Sequence, residues 1–197
     1  MSHFQDLSDS KDLLLQWFLK TKMSFYGENL NLPWWFGLSS WHYAFYGVVL
    51  LLIEPSWARK SVYPYRALAF TMIFLQAPLS FTADYVYMTD ESIAHVLDRA
   101  IAVPAALLEL GKLLAYIGNK VPNQVIAFAF LLQIFAVYFF LQSTKAQAAI
   151  HRDDFVRWHF LWHCYPLAAS SLAVFDFYQR EFEVRRLPGI PLSKAID

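Results

Sequence analysis

The fold is decided by apolar stretches long enough to cross a bilayer, and the clearest of them is residues 123–142, NQVIAFAFLLQIFAVYFFLQ. No charged side chain interrupts this stretch. A helix needs about 20 mostly apolar residues to cross the hydrocarbon core, because the core is about 30 Å thick and each residue rises about 1.5 Å. The stretch therefore predicts a transmembrane helix.

Four more stretches of similar composition lie on either side of it, joined by short polar or proline-bearing connections. They are residues 35–53, 67–88, 99–118 and 155–178. Hydrophobic residues make up 57% of the 197 positions and charged residues 16%, which is more apolar surface than a soluble domain of this length can bury. We predict an all-α, polytopic transmembrane bundle of about five spans, with residues 1–197 forming one integral membrane domain.

The segment before the first span, residues 1–33, is predicted to form an interfacial arm. Ser10 suits the N-cap of a short amphipathic helix whose apolar stripe includes Leu14 and Phe18. The arm lacks the basic, apolar and cleavage regions of a secretory signal, so we expect no cleaved leader. An uncleaved start followed by several spans would suit a protein of the mitochondrial inner membrane.

Charge and cysteine content exclude two classes of function. The 16 basic and 16 acidic residues give a net charge of zero, and no basic footprint for a nucleic acid is present. Cys164 is the single cysteine, which excludes an internal disulfide and a cysteine-based zinc knuckle. We expect membrane lipids as partners and no nucleic acid.

Several side chains with chemical potential are predicted to meet at one face of the bilayer. Because successive spans alternate direction, the end of the second span and the starts of the third and fifth share that face. The residues there are Ser80, Asp84, His95, Asp98, His159 and His163. His159 and His163 lie one helical turn apart, the spacing at which two imidazoles can bind one metal. Ionisable groups at membrane depth are costly enough to indicate a function.

This placement favours a zinc site with His159 and His163 as ligands. Asp84 or His95 would supply the third ligand, and Asp98 would orient a ligand or activate bound water. Each residue also has a simpler interpretation, as an ordinary helix start or a hydrogen bond between helices. A pair of histidines with this spacing can also ligate a haem or a pigment.

The order of these residues resembles that in the CREST membrane hydrolase superfamily, which includes alkaline ceramidases, adiponectin-type receptors and hemolysin III-like proteins. The matching strings are Ser80-Phe-Thr-Ala-Asp84, His95-Val-Leu-Asp98-Arg99 and His159-Phe-Leu-Trp-His163. The resemblance implies a seven-helix bundle in which three histidines bind zinc and an activated water cleaves a lipid amide, with Ser80 and Asp98 at catalytic positions. The chain departs from the family in two respects, since Asp84 replaces the first zinc histidine and five spans are predicted instead of seven.

Three functions are consistent with the sequence. We favour a non-catalytic accessory subunit of a larger membrane complex, of the mitochondrial respiratory type, because the loops are short, aromatic residues are abundant and the catalytic pattern is altered. The alternative is a zinc-dependent hydrolase of a lipid amide, resembling a ceramidase. A further alternative is a lipid-binding, pigment-binding or transport protein.

Overall fold

The computed structural model describes Leu15 and residues 18–53, 62–118 and 123–186, and every regular element in these ranges is helical. The all-α prediction is therefore confirmed for this part of the chain. The α-helices are α1 (Trp34–Ser39), α2 (His42–Leu52), α3 (Val62–Thr71), α4 (Ala77–Phe81), α5 (Ala94–Gly118), α6 (Asn123–Ala148), α7 (Arg152–His163) and α8 (Tyr165–Arg186). Two π-helical segments, Met72–Gln76 and Thr82–Val86, follow α3 and α4 without a break.

Two helical stretches of the described chain are long and apolar enough to cross a membrane, Arg66–Val86 and Asn123–Ala148. In the second of these, Phe128, Phe130 and Phe135 are 49%, 53% and 53% exposed. Apolar side chains exposed in a continuous patch need lipid or a protein partner to cover them. These two stretches support membrane association, and the five-span bundle stays a prediction.

Two of the predicted spans are not continuous helices. The first is divided between α1 and α2, with Ser40 and Trp41 at the break. The last is divided at Cys164, where α7 ends and α8 begins. Pro166 accounts for the second break, because proline lacks an N–H group and its ring clashes with the carbonyl group four residues earlier. The helical stretch over the predicted span 155–178 is therefore interrupted at Cys164.

The described part of the N-terminal arm packs against the helical domain. Phe25 is fully buried, and its ring lies 5.1 Å from that of Phe155 in α7. Just before Phe25 in the chain, Thr21 Oγ1 donates a hydrogen bond to Glu91 at 3.0 Å and Lys22 Nζ lies 3.3 Å from the same carboxylate. These two contacts lower the pKa of Glu91. The amphipathic helix predicted around Ser10 lies almost entirely outside the described residues.

Outside the predicted site, hydrogen bonds around the buried carboxylate of Glu109 link four helices. Glu109 of α5 accepts hydrogen bonds at 2.8 Å from the hydroxyl groups of Tyr46 in α2 and Tyr165 in α8. Gln133 of α6 donates to the hydroxyl group of Tyr165 in turn. A buried ionisable group needs such partners, because an unpaired charge in an apolar interior is costly. This network fixes the relative positions of the helices that surround the candidate site.

Gly47 lets α2 approach the continuous helical stretch Arg66–Val86, which also carries Ser80. A Cβ atom at Gly47 would lie 2.6 Å from the backbone oxygen of Ala69 and 2.7 Å from Cγ1 of Ile73. We expect Gly47→Ala to lower the free energy of unfolding by about 1–3 kcal/mol, because the backbone oxygen cannot move aside without shifting its helix. Thermal unfolding in one detergent measures the change.

Gly111→Ala is the matched control, since a Cβ atom there would have no neighbour within 4 Å. Alanine is the better helix former, so the control should be neutral or more stable by up to about 1 kcal/mol. Equal destabilisation of the two variants would contradict the close approach at Gly47.

Candidate metal centre

Asp84 lies at the end of a buried polar stripe on one helix. Gln76, Ser80 and Asp84 follow one another at intervals of four residues and are 2%, 1% and 7% exposed. Gln76 closes the first π-helical segment and Asp84 lies within the second. A π-helical turn contains an extra residue and therefore changes the direction in which the next side chains point, which is why such turns often occur at functional sites. Ser80 and Asp84 of this stripe contact α7, whereas Gln76 contacts Asp98 of α5.

The structure brings Asp84 together with both histidines of α7. His159 Nε2 lies 3.1 Å from Asp84 Oδ2, and His163 Nε2 lies 3.6 Å from the same oxygen. The ligand atoms of the three residues all lie within 4.8 Å of one another. Ligand atoms around a tetrahedral zinc ion are about 3.3 Å apart when each is about 2.0 Å from the metal. The spacing of the three side chains therefore suits a single metal ion.

These three side chains are shielded from solvent to different degrees. The side chain of His163 is 2% exposed, whereas those of Asp84 and His159 are 10% and 15% exposed. The aromatic rings of Phe36 and Phe155 lie 5.6 Å and 4.9 Å from the imidazole of His159. A low local dielectric strengthens the attraction between a carboxylate and a cation. Burial of the pocket therefore favours pairing of the Asp84 carboxylate with a cation.

Ser39 determines which nitrogen of His163 carries the proton. Its hydroxyl donates to the carbonyl oxygen of Phe36 at 2.6 Å, so it can only accept from His163 Nδ1, which lies 2.8 Å away. In the neutral imidazole, Nε2 then carries a lone pair that faces Asp84. The Ser80 hydroxyl, 3.3 Å from Nε2, can place its proton beside these two electron-rich atoms, and a cation can neutralise them in the same way. This arrangement fits a bound metal ion.

His159 is oriented in a similar way by α6. Ser143 Oγ lies 3.0 Å from His159 Nδ1 and is itself buried. The other nitrogen, Nε2, faces Asp84. Hydrogen bonds to the second nitrogen commonly fix the ring orientation of metal-binding histidines. Each imidazole thus has a serine behind it and the carboxylate in front.

Ser80 stands beside the three candidate ligands. Its Oγ lies 3.0 Å from Asp84 Oδ2 and 3.3 Å from His163 Nε2. Ser40 Oγ lies 3.3 Å from the same hydroxyl. A hydroxyl has one proton to donate, so Ser80 can switch its donated bond between Asp84 and a group that enters the site. The predicted position of Ser80 in the site is consistent with these contacts.

His95 lies outside this cluster. Its Nε2 lies 2.9 Å from the carbonyl oxygen of Tyr87 and 3.2 Å from that of Asp90, so the side chain holds the turn between the π-helical segment and α5. Of the two candidates for the third ligand, Asp84 is the one that the structure places with the histidines.

Asp98 lies beside the polar stripe, where Gln76 Nε2 donates a hydrogen bond to its Oδ1 at 2.9 Å. Gln76 precedes Ser80 by one helical turn, which places Asp98 on the same side of that helix. The hydrogen bond from Gln76 positions the Asp98 carboxylate. The role of Asp98 in activating water stays a prediction.

Three residues of the site are missing from the sequence prediction. Ser39 and Ser143 orient the histidines, and His42 Nδ1 donates to the carbonyl oxygen of His163 at 3.0 Å. The last contact satisfies a carbonyl group at the end of α7, where the helix has no further N–H group to offer. The only sequence signal for these residues is a polar side chain inside or beside a predicted span, which is a weak one.

No protein-family model, curated protein or solved structure matches this chain. Function is therefore inferred from the geometry of the site and from the motif resemblance.

Proposed function

We propose that this chain is a membrane-embedded zinc hydrolase with a site of the CREST type, in which Asp84, His159 and His163 hold the metal. The observation that supports it is the convergence of one carboxylate oxygen and two imidazole nitrogens at spacings close to those of a tetrahedral site. Zinc bound there would activate water for attack on a carbonyl group. The replacement of a histidine by Asp84 keeps three ligands, because a carboxylate oxygen also binds zinc.

The side chains around the ligands have separate tasks in this proposal. Ser39 holds His163 in the tautomer that leaves Nε2 available, and Ser143 holds the ring of His159 in its orientation. Ser80 can donate a hydrogen bond to the carbonyl oxygen of a substrate, because its hydroxyl lies beside the ligands and is able to rotate. Burial of the site limits the access of bulk water, which strengthens these polar interactions.

A lipid amide is the substrate class that this proposal assigns. The amide is inferred from the resemblance to ceramidase-like proteins. The lipid is inferred from membrane association, because two helical stretches are long and apolar enough to cross a bilayer. One of them, Arg66–Val86, carries Ser80 and Asp84. The five-span arrangement belongs to the same proposal and would place the site at one bilayer face, where a lipid headgroup can reach it.

A non-catalytic accessory subunit is the second candidate, and one contact favours it. His159 Nε2 lies 3.1 Å from Asp84 Oδ2, so a protonated imidazole could form an ion pair that closes the site without a metal. The exposed aromatic face of α6 would then pack against other subunits. A respiratory-type complex of the mitochondrial inner membrane is the parent assembly in this interpretation.

Pigment ligation has less support from the geometry. Both ring nitrogens of His159 and of His163 face protein groups, with a serine on one side and Asp84 on the other. A macrocycle would need one of these nitrogens to turn away from its partner. Transport stays a prediction without a specific contact in its favour.

Metal analysis of the wild-type protein separates the first two functions. We expect about one zinc ion per chain after purification of the full chain in mild detergent, with release of fatty acid from a ceramide that stops on chelation and returns with zinc. Substoichiometric zinc after zinc supplementation, together with migration as part of a larger complex, would favour the accessory subunit. Bound zinc without hydrolysis of any lipid amide would limit the site to a structural role.

A further inference from the structure

A groove of about 610 Å³ lies between α7 and the segment around the start of α1. Its floor is mostly apolar and includes Pro33, Val156 and Leu161. The rings of Trp35 and Phe160 form one wall, with centroids 5.2 Å apart and planes at 89°. The volume falls within the range of about 300–1,000 Å³ that is typical of small-molecule sites.

The groove carries one uncompensated positive charge. Arg152, which also lines it, donates one hydrogen bond to Asp153 at 3.1 Å and another to the carbonyl oxygen of Asn31, so its guanidinium already has an acidic partner. Arg157 is exposed, and the described part of the chain gives it no hydrogen-bond or ion-pair partner. A guanidinium group can bind phosphate oxygens in a bidentate manner. The free arginine therefore complements an anion at the groove.

Exposed indoles indicate that this groove lies at the level of lipid headgroups. Trp34 is 69% exposed, Trp35 is 41% exposed and Trp41 is 46% exposed, all within or next to α1. Indole side chains of membrane proteins concentrate at the boundary between headgroups and acyl chains. Basic pockets at that depth commonly bind anionic lipid headgroups.

We propose that the groove binds an anionic phospholipid of the bilayer, with the phosphate on Arg157 and the glycerol and upper acyl chains against Trp35 and Phe160. The apolar floor argues for a lipid over a free phosphate ion, which would gain nothing from it. The net positive charge argues for an anionic headgroup over a zwitterionic one. This site does not depend on the metal centre, because no candidate ligand lines it.

Lipid retention tests this site with one variant and one control. The full-length protein, delipidated in a neutral detergent, is incubated with phosphatidylglycerol or phosphatidylcholine, and bound lipid is counted by native mass spectrometry. We expect Arg157→Gln to reduce phosphatidylglycerol retention by about fivefold. Lys145→Gln removes another exposed basic side chain, outside the groove, and should leave retention unchanged.

Equal phosphatidylglycerol retention by wild-type protein and Arg157→Gln would overturn the proposal. So would an equal loss in Lys145→Gln, which would indicate diffuse attraction to the basic surface, or equal retention of phosphatidylcholine by the wild-type protein. Displacement of phosphatidylglycerol by inorganic phosphate alone would assign the groove to a free anion. Because Arg157 is exposed, size-exclusion profiles should be the same for all three proteins.

Discussion

Replacing either histidine of the candidate metal centre is expected to weaken zinc binding by roughly 100-fold or more, since loss of an outer hydrogen-bond partner alone commonly costs 10–100-fold. His159→Ala and His163→Ala each remove one of the three proposed ligands, whose atoms lie within 4.8 Å of one another. Zinc affinity is measured by competition with a chromogenic chelator. His151→Ala is the control, because His151 is an exposed histidine at the start of α7 and outside the cluster.

Two substitutions of Asp84 are expected to have opposite effects on zinc binding. Asp84→Asn keeps the size of the side chain but removes the charge. Like the two histidine variants, it should weaken zinc binding. Asp84→His restores the residue that the CREST resemblance places there, and should retain zinc because imidazole is a good zinc ligand. An ion pair without metal predicts no zinc in any of these proteins. Wild-type affinity in His159→Ala and His163→Ala would also refute the assignment of the ligands.

Parts of the site can be predicted from the sequence because they depend on local periodicity. His159 and His163 lie one turn apart in any α-helix, so their common face follows from spacing alone. Ser80 and Asp84 have the same separation, and the predicted five-span arrangement, with successive spans alternating in direction, places them at the same face as the histidines. The structure brings these four side chains together.

The remaining features depend on tertiary packing or on irregular backbone, which a single sequence does not encode in a readable pattern. The π-helical segments that set the direction of Asp84 have no known residue signature, and the stretch that contains them has the composition of an ordinary span. Ser39 approaches His163 across 124 positions of sequence. Pro166 lies at the break between α7 and α8, but the sequence does not tell whether a proline bends a helix or ends it.

The loss of the Ser39 hydroxyl is expected to weaken zinc binding by about 10–100-fold without removing a ligand. In Ser39→Ala, His163 Nδ1 loses the acceptor that lies 2.8 Å away, while the contacts of Nε2 with Ser80 and Asp84 are untouched. The imidazole is then free to place its proton on Nε2, and in that tautomer it cannot bind a metal through this nitrogen. Competition with a chelator, at a pH where the wild-type protein binds zinc fully, measures the change.

Ser40→Ala separates this effect from a general loss of packing. Ser40 is the next residue and is equally buried at 1% exposure. In the described part of the chain its hydroxyl forms a hydrogen bond with that of Ser80 at 3.3 Å and with no histidine nitrogen. If Ser39 acts through the tautomer of His163, the two variants should unfold at similar temperatures, but only Ser39→Ala should lose zinc affinity. Equal zinc affinity in the two variants would show that the serine behind His163 is a packing residue. Because an accepting oxygen is what His163 Nδ1 requires, Ser39→Thr should restore most of the affinity that alanine loses.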